Sequence, residues 1–366
     1  MFRHLRTVGI AIAVFVCLAV WTGAQEIGRI EYVEGDVQLL RDDQVWDAYD
    51  LQIGTPIFEL DLIQTGYDGY AEVTLTAEQN TTIRVRENSA YYVEMSENNG
   101  GTETRVRLLN GTIENTVRQI GRQGRYSVET QTAVLGVRGT TFDVITSPDE
   151  ATLLGVKEGR VAAAAGGREV IADANTAVEA LPNQPPQSRQ VDDLDGYYGQ
   201  WVETRLQAFR SGAATFIRAY ARRYEDTNPN FAAAYRELLA FRPRLEAAAA
   251  GQGGSLGGDM RLRTEISPAL LRMRSILPLF ENTVYRLREL RRFHDQGIGR
   301  TDIGGTSSAE FFRRFAAQEQ LILRQLSEVR TMMRLYGEIE ERSFGGLPGN
   351  GGSPFGGESI LDQMSF

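Results

Sequence analysis

The stretch Ala71-Glu72-Val73-Thr74-Leu75-Thr76 carries an apolar side chain at every second position. This alternation is typical of a β-strand with one face buried and the other face in water. The same period recurs throughout residues 27–181, interrupted by glycine and other turn residues, and its clearest further examples are residues 82–86, 104–108 and 125–130. The first half of the chain is therefore predicted to be an all-β stack of short strands.

A turn with the order polar residue, glycine, any residue, β-branched residue occurs three times in this half. Its copies are Glu34-Gly35-Asp36-Val37, Asn110-Gly111-Thr112-Ile113 and Glu158-Gly159-Arg160-Val161. Glycine readily adopts the positive φ that such tight turns require. The copies lie 76 and 48 residues apart, and this unequal spacing indicates an irregular stack rather than a strict solenoid repeat.

Further motifs follow one another in order through the same residues. The most specific is Arg138-Gly139-Thr140-Thr141-Phe142-Asp143-Val144, which comes shortly after Thr130-Gln131-Thr132-Ala133. Together with Trp46, the turn at Gly111 and Val156-Lys157-Glu158-Gly159, this series resembles a FecR domain, the envelope module of bacterial signalling and scaffold proteins. The resemblance implies a β-solenoid-like fold, a binding or signalling role, and no enzymatic chemistry.

Eight residues carry this resemblance and are expected to act as structural corners or partner contacts: Trp46, Gly111, Arg138, Gly139, Thr140, Phe142, Asp143 and Gly159. Two interpretations of Arg138-Gly139-Thr140 stay open. In the first, the turn contacts a ligand and the arginine binds an anion. In the second, the turn is a structural corner in which Arg138 pairs with an acidic neighbour such as Asp143 or Glu129.

The N-terminus has the order of a secretory signal. Arg3 and Arg6 precede an uncharged apolar stretch, residues 8–21, which ends at Thr22-Gly23-Ala24. The stretch is short for a helix that spans a membrane. We therefore predict an exported protein, periplasmic or at the cell surface, cleaved after Ala24, with a retained N-terminal membrane anchor as the alternative.

The same segment bears on the choice of partner. The iron-uptake regulators that the sequence resembles carry a cytoplasmic anti-sigma segment and a spanning helix before the module. Here residues 1–7 precede the apolar stretch. No sigma factor is therefore expected as a partner of this chain alone, and an envelope protein or a cell-wall polymer is the expected partner.

Composition excludes several classes of protein. The 366 residues suit two domains, and one cysteine and two histidines leave little material for a disulfide framework, a metal site or a catalytic triad. Residues 25–190 hold 14 basic and 26 acidic residues, a net charge of −12, which is unsuited to binding nucleic acid. We predict a non-enzymatic protein without a cofactor or a metal.

Hydrophobic periodicity changes from two to that of helices after a proline-rich segment. The predicted organisation is a signal peptide (1–24), a FecR-like β domain (25–182), a linker (183–195), a helical bundle (196–344) and a disordered glycine-rich tail (345–366). A first helix is expected around residues 198–224 and a second over 231–245. The third is expected to begin at Ser267-Pro268, and the fourth at a capping box formed by Ser307 and Glu310.

The fourth helix contains a short heptad seam: Ile322, Leu326, Val329, Met333 and Tyr336. We expect this seam to pack on the other helices of the same chain in an antiparallel bundle. Contact with a partner helix, and hence a homo-oligomer, is the alternative.

Few clusters suggest chemistry. Asp192-Asp193-Leu194-Asp195-Gly196 lacks the further ligands of a calcium loop and is expected to precede a helix, where anions interact favourably with the helix dipole. Asp42 and Asp43 are expected in a solvated turn. His294 is expected at a helix end, with a basic cluster before it on a solvated face or against anionic lipid or wall polymer: Arg286, Arg288, Arg291 and Arg292.

These observations favour an exported scaffold or binding module that mediates protein or envelope-polymer interaction or senses a signal. Two alternatives remain. One is a protein that binds or hydrolyses wall polysaccharide with its acidic β surface, and the other is a helical assembly protein.

Overall fold

The computed structural model of the chain describes residues 26–344 except 43, 77–80, 99–100, 119–123 and 252–255. The predicted signal segment and the glycine-rich tail lie outside the described residues. No described helix is long and apolar enough to cross a membrane.

Short strands fill the first half, as the alternation predicts. Their bounds are β1 (Glu26–Glu34), β2 (Val37–Arg41), β3 (Gln44–Trp46), β4 (Pro56–Phe58), β5 (Leu62–Thr65), β6 (Tyr70–Leu75), β7 (Thr81–Val85), β8 (Ala90–Asn98), β9 (Gly101–Asn110), β10 (Thr112–Thr116), β11 (Arg125–Glu129), β12 (Val134–Val137), β13 (Thr141–Thr146), β14 (Thr152–Glu158), β15 (Arg160–Ala165), β16 (Arg168–Asp173), β17 (Thr176–Ala180) and β18 (Gln187–Gln190).

The strands form two nine-stranded sheets. The first sheet has the order β18-β17-β14-β13-β10-β7-β6-β1-β4, and the second has the order β16-β15-β12-β11-β9-β8-β5-β2-β3. Among the described strands, β9 and β11 form the one parallel pair. A β region followed by helices is thus confirmed, whereas a β-solenoid-like stack is not.

Side chains at alternate positions of both sheets form one core. In β6, Ala71, Val73 and Leu75 are fully buried while the residues between them are half-buried, as the sequence predicts. They join a cluster to which the second sheet contributes side chains such as Val128 and Leu135. Burial of one face of each strand therefore fixes the register of the sheets.

Within the described residues four helices follow: α1 (Leu194–Leu239), α2 (Arg242–Ala249), α3 (Leu256–Asp295) and, after the two-residue strands β19 (Asp302–Ile303) and β20 (Thr306–Ser307), α4 (Ser308–Phe344). The first predicted helix and most of the second form one continuous helix, α1, which passes through Pro229, and the end of the second lies in α2. The predicted start at Ser267 is also wrong, because α3 begins at Leu256 and continues through Pro268 and Pro278.

Other boundary predictions are confirmed. Ser307 Oγ accepts a hydrogen bond from the backbone N–H of Glu310 at 3.2 Å, so this residue caps α4. Asp193 is the N-cap of α1, and its carboxylate accepts a hydrogen bond from the N–H of Gly196 at 3.0 Å. The aspartate cluster therefore begins a helix. The segment predicted as a linker contains β18, which pairs with β17, and the domain boundaries stay a prediction.

The helices pack on one another and on both sheets. The five seam residues of α4 are buried in a core that also contains Phe231 of α1 and Phe280 of α3, in agreement with packing inside the chain. A homo-oligomer through this helix stays a prediction. Leu62 and Tyr92 of the second sheet lie in the same core, so the helices cover the outer face of that sheet.

Candidate functional site

The motif residues of β13 and the turn before it lie in different environments. Arg138 and Gly139 are exposed, and Gly139 has a φ of 65°. Thr140 is buried, and Phe142 lies fully buried in the core between the sheets. Asp143 is the next residue along the strand, so its side chain lies on the opposite, outer face of the first sheet. The motif therefore contributes an exposed turn at Arg138 and Gly139, a core side chain in Phe142, and a carboxylate on the outer sheet face in Asp143.

Arg138 pairs with neither Asp143 nor Glu129, the two acidic neighbours that the structural interpretation of the turn named. Asp143 pairs instead with Lys157, whose Nζ lies 2.7 Å from its carboxylate. Glu129 pairs with Arg105 at 2.8 Å and with Arg107 at 2.9 Å. Arg138 lies in the exposed turn before β13, whereas Asp143 lies on the outer face of the sheet.

The remaining motif residues do not converge on Asp143. Gly111 and Gly159 occupy turns with φ values of 94° and 84°, as expected for glycine. A Cβ at Gly159 would lie 2.7 Å from the carbonyl oxygen of Gly139, so the two turns pack closely. Trp46 belongs to β3, an edge strand of the other sheet, where the guanidinium of Arg41 lies 5.7 Å from its ring centroid.

A row of charged side chains crosses the outer face of the first sheet. Arg84 pairs in register with Glu114, and Glu114 with Asp143 on the next strand. Like charges at directly opposite positions of neighbouring strands are destabilising. Here each carboxylate has its own cation, because Arg86 pairs with Glu114 as Lys157 does with Asp143.

Helix α1 closes one side of this row. Tyr198 lies over Gly155 of β14, where any side chain on Gly155 would overlap the tyrosine hydroxyl. The space between the helix and the sheet is an open groove of about 310 Å³, which we call the Lys157 groove. Its lining residues are Arg86, Thr112, Glu114, Asp143, Ile145, Lys157, Asp195 and Tyr198.

Charged and polar side chains, rather than apolar packing, determine the character of the groove. Burial raises the pKa of the Asp143 carboxyl, while its contact with Lys157 acts in the opposite direction. Burial, reinforced by the charge of Asp143, raises the pKa of Tyr198. Lys157 is the only lysine in the sequence, and its side chain is 36% exposed. The groove therefore presents one accessible amine beside a largely buried carboxylate.

Sequence reasoning found Asp143 and missed Tyr198, Arg86 and Glu114. Their proximity depends on strand register and on the path of α1, and local periodicity reports neither. Within the described part of the chain no group of three or more His, Cys, Asp or Glu side chains is placed to hold a metal ion.

The basic cluster of α3 proves to be an interface, which corrects the predicted solvated or lipid-binding face. Arg286 is buried and donates to the carbonyl of Ser147 at 2.7 Å. Arg288 donates to Gln64 of the second sheet at 3.0 Å and pairs with Glu319 at 2.7 Å. Arg291 also pairs with Glu319, and Arg292 donates to Asn88. This face is occupied because α3 lies against the β strands.

The other polar candidates also prove to be structural contacts. His294 is buried, and its Nε2 lies 2.9 Å from Ser308 Oγ, which accepts the N–H of Thr301 at 3.0 Å. Burial lowers the pKa of this imidazole. Asp42 lies exposed in a turn, as expected, and from there it accepts a hydrogen bond from Thr331 at 3.2 Å and pairs with Arg334 of α4. Asp43 lies outside the described residues.

Replacing Gly155 with alanine tests the contact that closes the groove. The added methyl group forces Tyr198 away from the sheet, and we expect a loss of about 1 to 3 kcal/mol in the free energy of unfolding, the usual cost of overpacking. Urea denaturation, followed by the fluorescence of nearby Trp201, measures this loss in the free energy of unfolding. Gly199→Ala is the control, since a Cβ there meets nothing within 4 Å, and it should be neutral or slightly stabilising. Equal stability of the two variants would refute the contact.

Comparison with known proteins finds one family model that matches part of the β region. The family model described as FecR protein matches residues 61–162. No curated protein matches the chain significantly. Two crystal structures of a candidate anti-sigma factor from Parabacteroides distasonis ATCC 8503 are similar at 17% and 18% identity, each with a TM-score of 0.32. The similarity covers 36% of this chain and 61% and 60% of those chains, so this chain spans about three fifths of their length.

The matched residues include the whole of β5 to β14 and the motif residues Arg138, Phe142 and Asp143. Residues 61–162 therefore match the FecR family model, as the ordered motifs of the sequence indicated.

Proposed function

We propose that this protein is an exported, non-enzymatic binding protein of the bacterial envelope, which acts in signalling or as a scaffold. Its FecR domain binds a protein partner through the Lys157 groove. The observation that carries the proposal is the position of Lys157, which is 36% exposed beside the buried Asp143 in an open groove on the outer face of the first sheet. The motif thus supplies a surface that the chain leaves accessible.

The partner has a basic surface. Residues 25–190 carry a net charge of −12, and the groove is lined by three carboxylates and two cations. Complementary charge accelerates association and favours the correct partner. Because the groove is exposed, the complex should weaken as ionic strength rises.

The single lysine allows a direct test. An amine-reactive crosslinker applied to cells that express the full chain should give an adduct through Lys157, the only side-chain amine, which peptide mapping distinguishes from any adduct of the N-terminal amine. Lys157→Arg keeps the charge but removes the amine, so that adduct should disappear. Adding Arg160→Lys to this variant moves the amine to a neighbouring exposed position, and the new lysine should give little adduct.

A second variant separates contact from proximity. Lys157→Met removes the cation, and the affinity of the crosslinked partner, measured with purified proteins, should fall at least tenfold. Arg160→Met removes an exposed cation from the other side of the turn and should leave affinity unchanged. The proposal is wrong if no adduct forms through Lys157, or if both methionine variants bind equally well.

A further inference from the structure

A second cavity lies where α3 crosses the ends of the strands of the second sheet. It has a volume of about 110 Å³ and is separate from the Lys157 groove. Thr65, Ser89, Ala90 and Tyr285 are its buried residues, and Asp36 and Arg292 are exposed at its edge. The amide side chains and the other charged side chains of the lining are Gln38, Gln64, Asn88, Asn110, Arg288 and Glu289.

Of the four amide side chains of this lining, Gln64 is bonded at both ends, because its Oε1 also accepts from Arg288 at 3.0 Å. The other three, Gln38, Asn88 and Asn110, are each bonded at one end. Gln64 Nε2 donates to Gln38 Oε1 at 2.6 Å, and Asn110 Nδ2 donates to the carbonyl of Asn88 at 2.6 Å. Asn88 Oδ1 accepts from Arg292. Among the described residues, the NH₂ groups of Gln38 and Asn88 and the Oδ1 of Asn110 have no protein partner. The cavity therefore offers both donors and acceptors that can still form hydrogen bonds.

The charges around the cavity cancel. Arg288 is neutralised by Glu319 at 2.7 Å, and Glu289 is neutralised by Arg286. Arg292 and Asp36, at the edge, have opposite signs. An anion would meet Glu289 and Asp36, and a cation would meet both arginines. An apolar ligand would leave the amide groups without partners. The lining is thus suited to a neutral molecule with many hydroxyl groups.

We propose that this cavity binds one neutral sugar unit. A hydroxyl group both donates and accepts, so adjacent hydroxyls of a sugar match the mixture of NH₂ and carbonyl groups. With about 30 Å³ per water molecule in the liquid, the cavity has room for roughly three to four waters, or for one side of a sugar ring that extends through the open edge. The bound sugar bridges the β turns and α3.

Titration calorimetry of the exported chain tests this with methyl glycosides of glucose, galactose and N-acetylglucosamine. We expect saturable millimolar binding of at least one glycoside. Gln38→Glu keeps the oxygen that accepts from Gln64 and replaces only the unbonded NH₂ group, so the fold is preserved and affinity should fall at least tenfold. Gln200→Glu makes the same change on the exposed surface of α1 and should leave binding unchanged.

Hydrogen exchange provides an independent readout, with slower exchange on binding expected in residues 64–66 and 88–90. Binding that soluble glycan chains displace assigns the sugar to a polymer, and binding that they do not displace assigns it to a free sugar. Three results overturn the proposal: no glycoside binds below about 100 mM, so that the cavity holds water only; Gln38→Glu binds as well as Gln200→Glu; or inorganic phosphate or glycine binds more tightly than every glycoside.

Discussion

Replacing Arg330 with methionine is expected to lower the free energy of unfolding by about 3 to 5 kcal/mol. Arg330 on α4 pairs with Glu281 on α3, and the two residues are 3% and 0% exposed. The hydroxyl of Tyr92, from the second sheet, donates to the same carboxylate at 3.0 Å. Without the guanidinium, Glu281 is a buried charge with one neutral partner. Urea denaturation at neutral pH measures the loss.

The pH dependence identifies the cause. Burial raises the pKa of Glu281, opposed by the charge of Arg330 and the hydrogen bond from Tyr92. A carboxyl whose pKa is higher in the folded protein contributes stability that is fully present below its unfolded pKa and is lost as the pH rises through its folded pKa. Arg330→Met raises this folded pKa further. Its deficit relative to the parent protein should therefore shrink from neutral to mildly acidic pH.

Two further variants distinguish the effect of the buried charge from that of lost side-chain packing. Glu281→Gln in the Arg330→Met background removes the buried charge but keeps an oxygen for Tyr92, so it should recover part of the lost stability. Arg324→Met makes the same substitution at an exposed position of α4 and should change stability by no more than about 0.5 kcal/mol. A double variant no more stable than Arg330→Met would mean that lost packing, not the buried charge, causes the deficit.

The β region could be predicted because the alternation of apolar and polar residues within a strand indicates which of its side chains are buried. The alternation of residues 71–76 corresponds residue by residue to the buried and half-buried positions of β6. Helix boundaries were harder. Proline usually interrupts a helix, yet α3 continues through Pro268 and Pro278 because its apolar residues, such as Met273 and Phe280, lie in the core. Tertiary packing therefore outweighs the tendency of proline to interrupt a helix, and the sequence alone shows only that tendency.

The same limit applies to the candidate site. The motifs contain both Asp143 and Lys157, but only strand register brings Lys157, rather than Arg138, to the carboxylate. The arginines of α3 show the converse. Their spacing predicts an exposed basic face, and that face is occupied because β strands distant in sequence lie against it. Contacts of this kind are set by topology, which composition and periodicity do not report.

Phe142 and Arg138 belong to the same motif but should respond very differently to truncation. Phe142 is fully buried between the two sheets, and Phe142→Ala leaves a cavity in a core to which both sheets contribute. We expect it to lower the free energy of unfolding by about 3 to 5 kcal/mol. Phe142→Leu fills more of the space and should cost less. Chemical denaturation of the purified chain measures both.

Arg138→Ala is the matched test within the motif. The side chain is exposed and Asp143 is neutralised by Lys157, so a change within about 0.5 kcal/mol is expected. If Arg138→Ala also destabilises by several kcal/mol, the arginine is a structural corner after all. If it leaves stability intact but weakens the complex formed through Lys157, the exposed turn at Arg138 extends the partner surface beyond the groove. The FecR motif would then divide into a buried half that holds the sheets together and an exposed half that contacts the partner.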